Sequence, residues 1–440
     1  MQLETLQRNP ETAAMRRLYT LLLYLIAPFV LLQLLWRTRA SVEERRRWRE
    51  RFGIVPRPAQ PVAVWVHAVS VGESLAALPL IRTLIERHGH GRVLVTTTTP
   101  TGSARIRETL GEQVLHTYAP FDLPDGISRF LERLRPQQVM VMETELWPNL
   151  FRALARRGVP LTIANARLSP QSFRGYGRVR GFARATLADC TRIAAQSELD
   201  AERFRALGAD PARVSVMGNI KFDQAVPEEQ LVRGHELRQR LGAARPVWVA
   251  ASTHEGEEEL LLAAHAELLR EQPQALLILV PRHPQRFEAT ARLIERNELP
   301  LLRRSEIDLE GLTTPAPALS ASVLLGDSMG EMFLYLAASD IAFVGGSLVP
   351  IGGHNVLEPA ALGLPVLFGP HMHNFLGARS LLMEAQGAIE VSERSLTDTL
   401  RVLLLDAARR RQIGAAACAA VAANRGALAR LQRLLDLTPT

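Results

Sequence analysis

Several short runs in this 440-residue chain set acidic and cationic side chains where a strand hands over to a helix. The first is His67-Ala68-Val69-Ser70-Val71-Gly72-Glu73, between the apolar run VAVWVHAV and the helical pattern ESLAALPLIRTLIERH. Glu73 falls in the first helical turn, where the helix dipole favours a carboxylate, and Gly72 lets a substrate approach the backbone. Two roles fit: taking a proton from a substrate, or only charging the helix start. A second run, Met142-Glu143-Thr144-Glu145-Leu146-Trp147-Pro148-Asn149, puts two carboxylates at the end of another apolar strand. With no His or third carboxylate nearby, a paired-carboxylate metal site is a weak reading. Glu143 continues directly from the strand and is assigned to the ligand side, and its neighbour Glu145 to capping the helix. Lys221, in Asn219-Ile220-Lys221-Phe222, follows the strand VSVMG. It is either a solvated surface residue or a flexible point charge suited to phosphate.

The second half carries cation and glycine chemistry. Pro281 and Arg282, in Val280-Pro281-Arg282-His283-Pro284, terminate the run ALLIL, and an arginine at a strand end makes a good fork for phosphate or carboxylate. Gly326-Asp327-Ser328-Met329-Gly330-Glu331 reads as a turn opening a helix, with Met329, Gly330 and Glu331 at an N-terminus able to take an anion. Asp and Ser also cap helices for purely structural reasons. The most specific stretch is Phe343-Val344-Gly345-Gly346-Ser347 followed by Gly352-Gly353-His354-Asn355-Val356-Leu357-Glu358-Pro359-Ala360. Its glycines bring a ligand against backbone at a helix start, and Glu358 can accept the two hydroxyls of a ribose.

The elements that must position these residues alternate. Short β-branched runs begin at residues 62, 93, 139, 161, 192 and 214, then again at 247, 275, 321, 341 and 365, with longer helical patterns between them. That is the pattern of two successive parallel sheets wrapped by helices. It predicts an α/β fold of two Rossmann-like domains facing a cleft, with ligands beyond the carboxyl ends of the strands. The charged, sheet-poor stretch 222–245 reads as an interdomain linker with a helix, and 406–435 as a closing helix. The expected domains are an N-terminal segment 1–40, a first Rossmann-like domain 41–222 and a second one 223–440 that includes the closing helix.

Leu18–Trp36 is almost uninterrupted apolar sequence, long enough to reach across a bilayer. The seven Arg against three Glu that follow in 37–51 predict a membrane anchor with the body on the cytoplasmic side. A buried core helix is the competing reading. Lys plus Arg exceed Asp plus Glu by 52 to 45, and the isoelectric point near 10.1 favours anionic partners. The arginines are scattered on helices without a nucleic-acid motif, so no nucleic-acid partner is expected. Two cysteines, Cys190 and Cys418, make neither a metal site nor a disulfide framework and suit a reducing compartment.

Taken in order, HAVSVGE, ETELWPN, NARLS, GNIKFD, PRHPQRF, GDSMGE, FVGGS and GGHNVLEPA resemble the Kdo transferases of lipopolysaccharide synthesis, inverting glycosyltransferases of GT-B architecture. The resemblance runs from the apolar N-terminus to about Phe375. It implies transfer of 3-deoxy-D-manno-octulosonic acid (Kdo) from CMP-Kdo to lipid IVA at the bacterial inner membrane. It also implies that Glu73 is the general base, that Glu143 and Lys221 stabilise the transition state, and that CMP is held by Pro281, Arg282, Met329, Gly330, Glu331, Asn355, Val356, Leu357 and Glu358. No metal and no cofactor beyond the donor is expected. Two other classes share parts of the pattern: a sugar-nucleotide 2-epimerase, which has no use for an anchor, and a non-catalytic sugar-nucleotide sensor, which has no use for Glu73.

Overall fold

A computed structural model describes residues 10–37, 42–69, 71–223, 226–307 and 320–436. The chain forms two compact units, one of residues 1–223 with 425–440 and one of residues 224–424.

The first unit is built on a seven-stranded parallel sheet: β1 (Val64–His67), β2 (Val93–Thr97), β3 (Leu115–Tyr118), β4 (Gln138–Met142), β5 (Leu161–Ala166), β6 (Arg192–Ala195) and β7 (Val214–Val216). The spatial order is β3-β2-β1-β4-β5-β6-β7. The chain runs outward from β1 to the β3 edge and then reverses through β4, so the order switches between β1 and β4, where His67 lies level with Val141. Both faces are covered, which is why the strands read as apolar runs rather than alternating ones. Trp65 packs with Phe130, Val141, Phe151 and Ile163 on one face. Its neighbours Val64 and Val66 pack with Leu80, Ile81, Leu84 and Val95 on the other.

The second unit repeats the plan with β8 (Val247–Thr253), β9 (Leu276–Pro281), β10 (Leu301–Arg303), β11 (Val323–Leu325), β12 (Ile341–Val344), β13 (Val366–Phe368) and β14 (Ala388–Glu390). Its order is β10-β11-β9-β8-β12-β13-β14, which reverses between β8 and β12. The strands absent from the sequence reading, β3, β10 and β14, are all edge strands of three or four residues.

Two expectations about chain organisation are corrected. The stretch expected to be a linker with a helix does hold one, Glu228–Leu241, but it is no free linker: Leu237 and Leu241 are part of the second unit's core with Leu334 and Leu336. Gly234 lies so close to Leu334 that a Cβ there would meet its carbonyl at 2.6 Å. The closing stretch is two helices, Ala407–Ala423 and Ala427–Leu434, broken at Gly426 with φ +88°. The second belongs to the first unit, not to a domain 223–440. Ala427 and Leu431 join the Leu80 core, the Asp223 carboxylate accepts the Gly426 and Leu428 N–H groups, and Arg430 donates to the Met217 carbonyl.

Pro10–Arg37 is one helix. Its apolar side chains Leu18, Leu22, Leu25, Ile26, Phe29, Leu32 and Trp36 are exposed, so it is not a core helix. Its polar residues dock on the first unit: Arg16 on the Pro148 carbonyl, Tyr19 on Asp122 (3.0 Å), Thr20 on Asn149 and Tyr24 on Asp125. The chain then returns to the same unit, where Arg47 donates to Ser103, the Glu50 carboxylate accepts the Tyr118 N–H, and Arg51 donates to the Thr98 carbonyl.

Candidate active site

The switch point of the first sheet gathers the expected catalytic residues. Glu73 stands in the first turn of helix Val71–His88, which leaves β1. Its Oε2 accepts the Val69 N–H at 2.9 Å, so the carboxylate folds back over the loop instead of extending away. The Val69 carbonyl is held by the Thr98 backbone N–H and hydroxyl from the end of β2. Ser70 lies outside the described residues. Beneath the loop, His67 is buried with Nδ1 2.8 Å from Thr96 Oγ1 and its ring edge-on to Trp147. Burial pulls its pKa down to about 4, so the ring is neutral and serves as packing.

Glu143 directly follows β4, the strand beside β1, in the left-handed region at φ +57°. Its N–H is held by the Ala164 carbonyl on β5 at 3.0 Å. Lys221 Nζ lies 2.7 Å from Glu143 Oε1, so two residues 78 apart in sequence form one half-buried ion pair. Lys221 arrives from beyond β7, three strands away, because Asn165 draws the loop inward. Asn165, fully buried on β5 at φ +54°, accepts the Ile220 N–H at 3.1 Å, while Asn219 accepts the Lys221 N–H at 3.0 Å. A left-handed non-glycine residue costs roughly 1 kcal/mol, and two such residues on neighbouring strand ends mark this as the strained part of the sheet. Asn165 stands in NARLS, a motif to which sequence reasoning gave no role.

Glu145 does not cap helix Pro148–Arg156. Its carboxylate takes the Trp147 indole N–H at 2.7 Å, and the helix start is capped from the loop after β3 by Asp122, which accepts the Asn149 and Leu150 N–H groups at 3.0 and 2.7 Å. The cap is a local need of the helix that a residue from another loop meets, which sequence adjacency does not reveal. Burial pushes Asp122 up to about 6 against these bonds.

In the second unit the expected donor-site residues lie at or past the carboxyl ends of β9, β11 and β12. Pro281 ends β9 in a buried position and Arg282 is exposed beside it, its N–H bound to the Thr253 carbonyl on β8. Met329 is exposed, and Gly330 takes φ +81° with its carbonyl held by Gln230. Glu331 meets Arg304 at 2.9 Å, Arg233 at 3.2 Å and the Ser328 hydroxyl, so its carboxylate fixes the turn. Asn355 Nδ2 donates to Glu358 Oε1 at 3.0 Å and Asn355 Oδ1 accepts the Leu357 N–H, which orients Glu358 at the start of helix Leu357–Ala361 around Val356.

The glycine loop after β12 works differently from the sequence reading. The N–H groups of Gly346, Ser347 and Leu348 point at the buried carboxylate of Glu257 at 2.7, 3.1 and 2.9 Å, so an internal anion already occupies them. Gly345 is required there, since a Cβ would meet the Ser252 carbonyl at 2.6 Å. Glu257 was hidden in the acidic run after His254. His254 was missed as well: its Nε2 lies 2.7 Å from His354 Nε2 with the rings parallel, and His283 meets it edge-on. Burial lowers His354 to about 4. Among the described residues no group of three or more His, Cys, Asp or Glu is placed to hold a metal ion.

Two successive parallel sheets with polar residues gathered at each switch point define the class that sugar-nucleotide epimerases and GT-B glycosyltransferases share. The UDP-GlcNAc 2-epimerase of Neisseria meningitidis matches 85% of this chain and all of its own with a TM-score of 0.54; at 15% identity the likeness gives the fold alone. Sequence similarity goes further. Residues 46–224 match the family model for 3-deoxy-D-manno-octulosonic-acid transferase (kdotransferase). The chain is 42% identical to the 3-deoxy-D-manno-octulosonic acid transferase of Haemophilus influenzae over 96% of its length and 97% of the relative's. It is 39% identical to that of Bordetella pertussis over 96% and 99%. The chain belongs to the 3-deoxy-D-manno-octulosonic acid transferase family and is a glycosyltransferase.

Proposed function

We propose that the chain transfers Kdo from CMP-Kdo to lipid IVA with inversion at the anomeric carbon. The observation that carries this reading is the assembly of Glu73 with the Glu143–Lys221 pair at the first unit's switch point. A lipid hydroxyl is a poor nucleophile at neutral pH, and Glu73 takes its proton as the oxygen attacks. The new bond joins that oxygen to the anomeric carbon, and the bond from that carbon to the phosphate oxygen breaks, with its electrons leaving on CMP. Lys221, held in place by Glu143, offers positive charge to the reacting centre, and Arg282 at the end of β9 is a fork for the donor's phosphate. These cations do the work a metal does elsewhere, so the reading assigns no metal and no cofactor. Asn355 orients Glu358 to accept the ribose hydroxyls, and the turn at Met329–Glu331 offers backbone to the base.

The exposed apolar helix supports attachment to the inner membrane, with the body on its cytoplasmic side. Tyr24 is docked on Asp125 and Arg47 on Ser103 of the same unit. The helix between Tyr24 and Arg37 is about 20 Å long at about 1.5 Å per residue, short of the roughly 30 Å of bilayer hydrocarbon. We therefore place Leu25–Trp36 in the interface, lying along the membrane rather than crossing it. Mass spectrometry of the lipid formed by the purified chain from CMP-Kdo and lipid IVA tests the activity. Product heavier by whole Kdo units is expected, and unaltered lipid IVA contradicts it.

A further inference from the structure

Where the apolar helix docks on the first unit, the two enclose an open cavity of about 710 Å³ whose wall holds Arg16, Arg17, Arg152, Arg156 and Arg157. No carboxylate lines it among the described residues. Three carboxylates stand behind it: the buried Asp189, 3.6 Å from Arg16 and 3.3 Å from Arg152, the buried Asp122, which also acts on Arg16, and Glu132, 3.8 Å from Arg157. Among the described residues neither Arg17 nor Arg156 makes a hydrogen bond or an ion pair. Five arginines converge on one concavity against three carboxylates behind its wall, an excess of positive charge that favours an anion.

The geometry points to a binding site for the phosphate of an anionic bilayer lipid, its headgroup held in this arginine cavity while its acyl chains run beside the apolar helix. This rests on the membrane attachment proposed above. Guanidinium groups take phosphate oxygens in paired bonds, and Ser128, Thr20 and Tyr24 in the same wall can bond to headgroup hydroxyls. The volume is that of a small-molecule site. The lipid source follows from position, because one wall of the cavity is the helix that exposes Leu22, Leu25, Ile26 and Phe29. A helix lying in the interface sets its flank at headgroup level. None of Glu73, Glu143 and Lys221 lines the cavity, and its role is to fix how the enzyme sits on the bilayer.

Binding of the full-length chain to phosphatidylcholine vesicles, with and without phosphatidylglycerol, tests this. Arg17→Gln with Arg156→Gln removes the two arginines that make no hydrogen bond or ion pair among the described residues, and an unchanged Tm checks that the fold is kept. Exposed Arg296→Gln with Arg394→Gln in the second unit removes the same charge elsewhere. At about 1 kcal/mol for each arginine near an anionic surface, the cavity variant should lose roughly 10-fold or more of its affinity for phosphatidylglycerol vesicles. It should bind pure phosphatidylcholine as the wild type does, and the control pair should change neither. Equal losses in both pairs would reduce the effect to net charge and overturn the site. Millimolar inorganic phosphate abolishing the difference would make it a free-anion site instead, and a matching rise in KM for detergent-dispersed lipid IVA would make it part of the acceptor site. Wild-type chain that ignores phosphatidylcholine vesicles would refute the attachment itself, a separate result.

Discussion

The Glu143–Lys221 pair makes a prediction that separates chemistry from packing. Replacing Lys221 with Met keeps the length of the side chain and removes its charge, leaving the Glu143 carboxylate unpaired. The side chains are 18% and 34% exposed, between a surface pair worth 0–1 kcal/mol and a buried pair whose breakage costs about 3–5 kcal/mol. A stability loss of about 1–2 kcal/mol follows, a fall in Tm of roughly 3–6 °C for a unit of this size. Loss of one preorganised charge at a reacting centre costs about 10²–10³ in kcat, or roughly 3–4 kcal/mol, and exceeds the stability effect. Glu143→Gln should lose a comparable amount, because a freed ammonium no longer holds its position. If the two act as a unit, the double variant should be about as slow as the slower single variant, since effects within a coupled pair do not add. The assay is kcat for CMP release at saturating donor and acceptor, with Tm measured in parallel. Losses that multiply in the double variant, or kcat losses no larger than the Tm shift accounts for, would refute the reasoning.

In the donor site, Arg282→Ala and Glu358→Ala should each weaken CMP binding by about 1.5–3 kcal/mol in calorimetry, and unchanged affinity in both would put the nucleotide elsewhere. Acid should destabilise the chain through its buried histidines. His67, His116 and His265 are held near 4 by burial against an unfolded value near 6.5, so the unfolded state binds the extra protons and stability falls as pH drops from about 6.5 toward 4. Asp122, raised to about 6, runs the opposite way and offsets part of this. Urea midpoints at pH 7, 6 and 5 should decline, less steeply in His67→Gln. A chain beginning near residue 42 should fold and bind CMP but lose activity mainly on vesicle-embedded acceptor. Beginning near Gln60 instead would strip the Arg47–Phe52 turn and the buried Val55, so that shorter chain should be less stable in urea.

Strands buried on both faces were legible because continuous apolar runs leave little else for β1, β4, β8 or β9 to be. The edge strands were not, because three or four half-covered residues such as Leu301–Arg303 carry no run to read. Local placement was readable too: Glu73 at a helix start, Glu143 past a strand end, Arg282 beside Pro281. The long-range geometry was not. Nothing near Lys221 says that it meets Glu143, because the link is the Asn165 bond to Ile220 across two strands. In the same way the loop after β12 reads as a ligand cradle until Glu257, 89 residues before Gly346, is found in it. The return of Ala427–Leu434 to the first unit escaped sequence for a like reason, since an Ala-, Leu- and Arg-rich helix fits either core by pattern.

The central claim is that Glu73 is the base that activates the acceptor. Its most direct test is single-turnover transfer of Kdo by Glu73→Gln, with the lipid product quantified by mass spectrometry and CMP affinity measured on the same sample. Gln keeps the helix start while losing the ability to take a proton. The transfer rate should fall by about two to four orders of magnitude with CMP affinity unchanged. A rate within a few-fold of wild type would contradict the account and remove Glu73 from the chemistry.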